Sequence, residues 1–317
     1  MIDRHLMLPG IPLIEAPFAN MVENASGLHE DDRPVAMALH KNGFAVIDFP
    51  DPDIMERIDR VKVGLAPMMD IGLDDRNSIK VGDKRIQDAW TFDEDVRAIA
   101  ANPEMLALLG RLYGRPAFPF QTLNFPVGTQ QPLHTDAVHF SSLPERFMCG
   151  VWLAMEDISD AAGPLAYVPG SHRWPIMTNL TIGRRGFGST LESAQRPFED
   201  AWRIMAEASG AQTETFLARK GQALIWCANL LHGGSVQTDP TLTRWSQVTH
   251  YFFDDCIYYT PAFSDEAVGK LDIRTILDIG GGSPRPGHFL GEDVQPKPAP
   301  TPRSKRWLRR TKRLLGL

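Results

Sequence analysis

Residues 220–253 read KGQALIWCANLLHGGSVQTDPTLTRWSQVTHYFF. Within them, Gln222–Cys227 and Thr243–Phe253 are short apolar or alternating runs separated by Gly- and Pro-containing turns, the pattern of β-strands. Working upstream, Ala117–Phe125, Phe147–Met155, Leu165–Val168 and Thr213–Leu217 have the same character, and Gly and Pro punctuate the gaps between them. Six such runs predict an all-β sandwich or barrel. A single helix, expected over Phe198–Ala208, interrupts the series.

Before Pro116 the pattern changes. Asp31 and Asp32 precede Pro34, which starts a helix that Gly43 stops. Phe44–Phe49 reads as a strand. Asp51–Ala66 places Ile54, Ile58, Val61 and Leu65 on one helical face. Residues 70–90 are polar and without periodicity, the mark of a long surface segment or lid. Asp93–Tyr113 has helical spacing and is stopped by Gly114 and Pro116. The expectation is a mainly β chain with flanking helices: one domain over residues 1–293, with a helical part at about 30–115 and a β core at about 116–260.

The composition narrows the functional classes. The chain has 317 residues, 43% hydrophobic and 23% charged, which is ordinary for a folded protein and excludes extensive disorder. Asp3, Arg4 and His5 stand where an export signal needs an apolar core, and no apolar run is long enough to span a membrane. Cys149, Cys227 and Cys256 are too few and too scattered for a disulfide framework or a thiolate zinc site. A cytoplasmic setting is expected. Arg303, Lys305, Arg306, Arg309, Arg310, Lys312 and Arg313 crowd the C-terminus; without them 26 basic residues face 39 acidic ones, a net of −13. So acidic a body argues against nucleic acid as a partner.

The chemistry-bearing residues sit at strand-to-turn junctions. His134-Thr135-Asp136 follows a predicted strand and a Gly-Thr-Gln-Gln-Pro turn; on extended backbone, residues i and i+2 point to one side, so imidazole and carboxylate converge. His232 ends the run Gln222–Leu231 ahead of Gly233-Gly234. Two histidines and one carboxylate, with positions left open, form the ligand set of non-haem Fe(II) oxygenases. Arg244 lies twelve residues beyond His232, on a strand where Arg244, Ser246, Val248 and His250 share a face. A guanidinium there can hold the far end of a dicarboxylate by a bidentate fork, and Ser246 can add a hydroxyl donor. His139, His172 and His250 read as structural, with His172 and Ser171 pinning a turn, and Trp226 and Cys227 read as packing.

At this point the sequence resembles the phytanoyl-CoA dioxygenase family of Fe(II)/2-oxoglutarate oxygenases, over about Val35–Phe253. The resemblance is carried by TLNFPVGTQQPLHTD (122–136), VWLAMEDISDAAGPLAYVPGSHRWP (151–175) and residues 220–253. It implies a double-stranded β-helix, the cupin-like jelly roll. It implies iron held by His134, Asp136 and His232, 2-oxoglutarate anchored by Arg244, and O2 as cosubstrate. A polar residue on the strand before H-x-D often helps to bind the cosubstrate in this family. Gln121 and Asn124 are the candidates, and three positions apart they face opposite sides of a regular strand. Trp152 is expected to wall the pocket.

The expected activity is hydroxylation of an unactivated C–H bond in a small-molecule or carrier-linked substrate, releasing succinate and CO2. A carboxylate ligand fills the position that halogenating relatives leave open, which favours hydroxylation. The alternatives are a non-catalytic jelly-roll module that binds metal or ligand, and a metal enzyme that needs no 2-oxoglutarate. Two segments offer cations to an anionic substrate group: 181–193 with Arg184 and Arg185, and 70–90 with Lys80, Lys84, Arg85 and Gln87. Pro296, Pro298, Pro300 and Pro302 make 294–304 a stiff linker. Beyond it, 305–317 is a basic amphipathic tail suited to an anionic membrane surface or an acidic partner.

Overall fold

The computed structural model describes residues 8–294 except 74, 76, 77, 81, 83 and 190–194. The proline-rich stretch beyond Val294, the basic tail and the end of the 181–193 loop lie outside the described residues. In chain order come α1 (Ala19–Glu23), α2 (Arg33–Asn42), β1 (Phe44–Asp48), α3 (Ile54–Leu65), β2 (Ile86–Gln87), α4 (Glu94–Ala100), α5 (Pro103–Tyr113) and β3 (Ala117–Phe125). The second half holds β4 (Ser141–Leu143), β5 (Met148–Ala154), β6 (Leu165–Tyr167), α6 (Arg196–Ser209), β7 (Glu214–Phe216), β8 (Gln222–Cys227), β9 (His232–Gly234), β10 (Ser246–Phe253) and β11 (Ile257–Tyr259). Two hairpins close the described chain, β12 (Ile276–Asp278) with β13 (Ser283–Arg285) and β14 (Gly287–Phe289) with β15 (Glu292–Val294).

Local chemistry sets the helix boundaries. α3 buries Ile54, Ile58, Val61 and Leu65, the stripe its spacing predicts. α2 ends at Gly43, whose φ of +83° is the left-handed cap that glycine adopts without strain. The single helix expected over Asp93–Tyr113 is instead two. Asn102 accepts a hydrogen bond from the Met105 backbone N–H at 2.9 Å, and Pro103 occupies the first helical position. A pre-proline residue avoids helical backbone, so the Asn102-Pro103 pair ends one helix and caps the next.

Strand order in the larger sheet is β1-β8-β5-β10-β3-β2, with neighbours antiparallel. A smaller sheet, β7-β6-β9, continues into residue 134 through an antiparallel bridge between His134 and His232. Alternation sorts the side chains of the larger sheet. Trp152 and Ala154 of β5, Leu224 and Trp226 of β8 and Val248 of β10 cluster with Leu165, Tyr167 and Phe216 of the smaller sheet, forming the core between the two. Val151, Leu153, Ala223 and Ile225 take the other face and pack with Leu39, Ile58, Leu65 and Leu109 of the helices. A third cluster seats Phe198 and Trp202 of α6 against Val138, Val168 and Leu231. Two antiparallel sheets closing over one core, with helices outside, make the jelly roll that the family resemblance implies.

Segment 70–90 contains no α-helix among its described residues and is fastened down at Lys80. The Lys80 ammonium is buried and donates to the carbonyls of Ser78 and Thr241, both at 3.1 Å, while its backbone N–H meets Pro240 O at 2.6 Å. Lys80 therefore clamps this segment to the loop that leads to Arg244.

Candidate metal centre

His134 and His232 meet because their backbones pair. His134 N–H donates to His232 O at 2.8 Å, the reciprocal bond is 2.9 Å, and the two imidazole centroids lie 4.5 Å apart. Each ring is then oriented by its own chain. His134 Nδ1 lies 2.9 Å from Pro132 O, and His232 Nδ1 lies 2.9 Å from Leu230 O. A carbonyl can only accept, so both Nδ1 atoms carry hydrogen and both Nε2 atoms keep a lone pair for a ligand. Asp136 opens a short 3-10 turn, Asp136–Val138, tied to the residue after β8 by Ala137 N–H to Ala228 O at 3.0 Å.

The three donor groups converge. Asp136 Oδ1 is 4.0 Å from His134 Nε2, and Oδ2 is 3.8 Å from His232 Nε2. One ligand atom from each residue lies within 4.8 Å of the others, and all three residues are buried. Asp136 Oδ2 also accepts a hydrogen bond from Trp226 Nε1 at 2.8 Å and sits 3.6 Å from His250 Nε2. Burial pushes the Asp136 carboxyl up, but the neighbouring His232, His250 and His134 outweigh it and hold the group well below the usual carboxylate range. Burial, reinforced by His232, pushes His134 down to about 4. An ionised carboxylate beside a neutral imidazole is the protonation pattern that a metal requires.

These groups open into a cavity of about 260 Å3. Gln121, Trp152, Arg244, Val248 and His250 line its larger-sheet side, Leu165 and Gly233 the opposite side, and Arg85, Gln87 and Gln131 also border it. Arg244 precedes β10, held by its N–H to Pro126 O at 2.8 Å. Only 3% exposed, it donates from Nη1 to Gly163 O at 3.2 Å, lies 5.7 Å from the Trp152 ring centre, and leaves Nε without a partner. Burial alone pulls its pKa down to about 10. Among the described residues no carboxylate forms a salt bridge with it. Ser246 Oγ and Trp152 Nε1 are likewise buried and unpartnered, although Ser246 does not itself line the cavity.

The remaining sequence candidates divide by strand face and by anchoring. Gln121 lines the cavity, its Oε1 2.9 Å from His250 Nδ1. Asn124 lies on the other face of β3, where its Nδ2 donates to Gln247 Oε1 at 3.2 Å, so alternation keeps it out of the cavity lining. Arg85 and Trp152 line the cavity; Lys84, Arg184 and Arg185 do not. The Lys84 ammonium instead caps the carbonyls of Met69 and Asp70 at 3.1 and 3.4 Å. Arg184 and Arg185 belong to a loop that Asn179 ties to Pro261, Ala262 and Ser264. His172 and Ser171 are turn anchors: His172 Nε2 lies 3.2 Å from His40 O, and Ser171 Oγ accepts from Leu231 N–H at 2.8 Å.

Two residues of the site were read as structural from the sequence. His250 shares the cavity-facing side of β10 with Val248, and the period-2 face that begins at Arg244 contains the signal for it. Trp226 faces inward two positions after Leu224, and nothing in the sequence tells its indole N–H that a carboxylate waits there.

Two Nε2 lone pairs and an ionised carboxylate suit a divalent metal, which needs donors at about 2.1 Å and so only small movements of these side chains. The Arg244 guanidinium in the same cavity, with Nε free and no carboxylate salt-bridged to it among the described residues, suits a dicarboxylate. The comparisons agree. The chain is similar to a probable phytanoyl-CoA dioxygenase of Caenorhabditis elegans, 29% identical over 39% of this chain and 44% of that protein. It is 30% identical to the peroxisomal phytanoyl-CoA dioxygenase of Homo sapiens over 69% of this chain and 67% of that protein. It therefore spans less than half of the nematode relative. Its fold is similar to that of the non-haem α-ketoglutarate-dependent carbocyclase SnoK from nogalamycin biosynthesis, with a TM-score of 0.58 at 16% identity, covering 84% of this chain and 96% of that one. The sequence model described as phytanoyl-CoA dioxygenase matches residues 62–239, more than half of the chain. With the His134–Asp136–His232 centre inside that span, the chain belongs to the phytanoyl-CoA dioxygenase family of Fe(II)/2-oxoglutarate-dependent oxygenases.

Proposed function

We propose that this chain hydroxylates an unactivated C–H bond of a small or carrier-linked molecule and couples the reaction to conversion of 2-oxoglutarate into succinate and CO2. The observation that carries the reading is Arg244, a guanidinium with 3% exposure and no acidic partner among the described residues, bordering the same cavity as the three metal donors. An uncompensated buried cation costs several kcal/mol, and a bound dianion removes that cost.

In this reading His134 Nε2, His232 Nε2 and an Asp136 oxygen would hold iron. When bound, iron and 2-oxoglutarate supply the O2-activating chemistry. Arg244 would receive the distal carboxylate, with Trp152 Nε1 as a further unpartnered donor lining the same cavity, and Gln121 sits next to His250. Leu123, Phe125, Phe140, Leu165 and Val248 keep the cavity apolar between these polar groups and limit water access. Arg85, exposed and bordering the cavity beside Gln87, would meet an anionic group of the substrate. Asp136 occupies the ligand position that a halogenase leaves empty, which supports hydroxylation as the outcome.

The test is succinate formation from 2-oxoglutarate by the Fe(II)-loaded protein with ascorbate, alongside anaerobic 2-oxoglutarate binding. Binding and turnover that both depend on Arg244 support the proposal. A protein that binds iron yet neither binds nor consumes 2-oxoglutarate is a metal-binding module, and the proposal is then wrong.

A further inference from the structure

The indole of Trp226 donates from Nε1 to Asp136 Oδ2 at 2.8 Å, with Trp226 2% and Asp136 5% exposed. Its ring flanks the site, with its centre 5.0 Å from that of His232 and 6.1 Å from that of His250. Room for so large a side chain comes from the neighbouring strand. Gly150 of β5 is the register partner of Trp226, and a Cβ at 150 would stand 2.1 Å from Trp226 Cζ2 and 2.3 Å from Cε2. Any larger residue at 150 would displace the indole. A phenylalanine at 226 would fill much of the same apolar space, but it has no N–H to offer the carboxylate.

The chemistry of a carboxylate ligand gives this contact a role. With both oxygens free, Asp136 could chelate a metal through two positions and consume one that the cosubstrates need. With one lone pair of Oδ2 engaged by an indole N–H, Oδ1 is the oxygen left without that donor, and the hydrogen bond orients the carboxylate plane. We propose that Trp226, in the space left by Gly150, is a positioning residue that holds Asp136 as a one-oxygen ligand and thereby sets both iron affinity and the number of open coordination positions. This rests on the reading that His134, Asp136 and His232 hold iron.

The experiment compares wild type with Trp226→Phe and with Trp226→Phe/Gly150→Ala, in which the added methyl refills part of the vacated space. Fe(II) is titrated anaerobically by calorimetry, and the charge-transfer absorption of the Fe(II)–2-oxoglutarate complex is recorded. The double variant should melt near wild type without metal, bind Fe(II) about tenfold or more weakly, and show a shifted charge-transfer band. In the unaltered protein, the assigned Trp226 indole N–H resonance should resist solvent exchange and move when Zn(II) is added. Wild-type Fe(II) affinity and an unshifted band in the double variant, or an indole resonance indifferent to Zn(II), overturn the proposal while leaving the iron site intact. Failure of the wild type itself to bind iron, or unaltered binding by His134→Ala, sinks the underlying site instead.

Discussion

His134 and His232 stand opposite each other across an antiparallel bridge, each backbone N–H donating to the other's carbonyl at 2.8 and 2.9 Å. The metal centre is thus built into main-chain pairing that does not depend on the imidazoles. Replacing a ring should leave the fold in place while removing the ligand. His232→Ala is expected to melt within a few degrees of wild type as the metal-free protein, yet to lose Fe(II) affinity by more than about 100-fold, since even outer partners of a metal ligand are worth 10–100-fold. Calorimetry under anaerobic conditions, paired with thermal melts, reads both quantities.

Arg244 makes the opposite bargain between stability and function. Its charge is buried without a carboxylate, so Arg244→Met should leave the metal-free protein as stable as wild type or slightly more stable. The same variant should weaken 2-oxoglutarate binding by about 100-fold, because truncating one side of a buried charge pair costs about 2–5 kcal/mol. Arg244→Lys should fail to restore it, a point charge being a poor substitute for a planar fork. A melt and a 2-oxoglutarate titration of the two variants check this.

Proton linkage gives a third expectation. His134 and His172 are each pushed down to about 4, in both cases chiefly by burial. In the unfolded chain they take up a proton near pH 6.5, so between pH 6.5 and about 4 the unfolded state binds more protons than the folded one. Stability should therefore fall as pH is lowered through that window, by up to about 1.4 kcal/mol per pH unit for each histidine. Urea unfolding of the metal-free protein at pH 7, 6 and 5 measures the slope, and a flat profile would contradict it.

Much of this fold was legible because the main strands are apolar or alternating runs with Gly or Pro in the gaps between them, and because the α3 stripe Ile54–Ile58–Val61–Leu65 has helical spacing. The α4–α5 break was missed since periodicity continues across Asn102-Pro103 while the cap and the proline divide it. Residues beyond Ile257 form three-residue strands that carry no period long enough to read. In the site, H-x-D, the distal His-Gly and Arg244 announce themselves by residue type. Asn124 was separable from Gln121 only by face, and Trp226 only by knowing that Asp136 Oδ2 sits 2.8 Å from its indole nitrogen.

Gly43 shows how the turn motif 163–172 is tied to the helical half. Its φ is +83°, and a Cβ there would lie 2.5 Å from His172 Nδ1. Gly43→Ala should destabilise the protein by about 2 kcal/mol or more, through left-handed strain of about 1–2 kcal/mol and a collision with a buried ring. Chemical denaturation reads the loss directly. Iron affinity measured well below the melting temperature should be unaffected.

The central claim is that two imidazoles and one carboxylate, remote in sequence, bind a single ferrous ion that shares its cavity with 2-oxoglutarate. The most direct test is an anaerobic crystal of the protein with Fe(II) and 2-oxoglutarate, located by iron anomalous scattering. The account predicts one iron peak within coordination distance of His134 Nε2, Asp136 and His232 Nε2, with the distal carboxylate of 2-oxoglutarate on Arg244. An iron peak elsewhere, or 2-oxoglutarate bound away from Arg244, would contradict it.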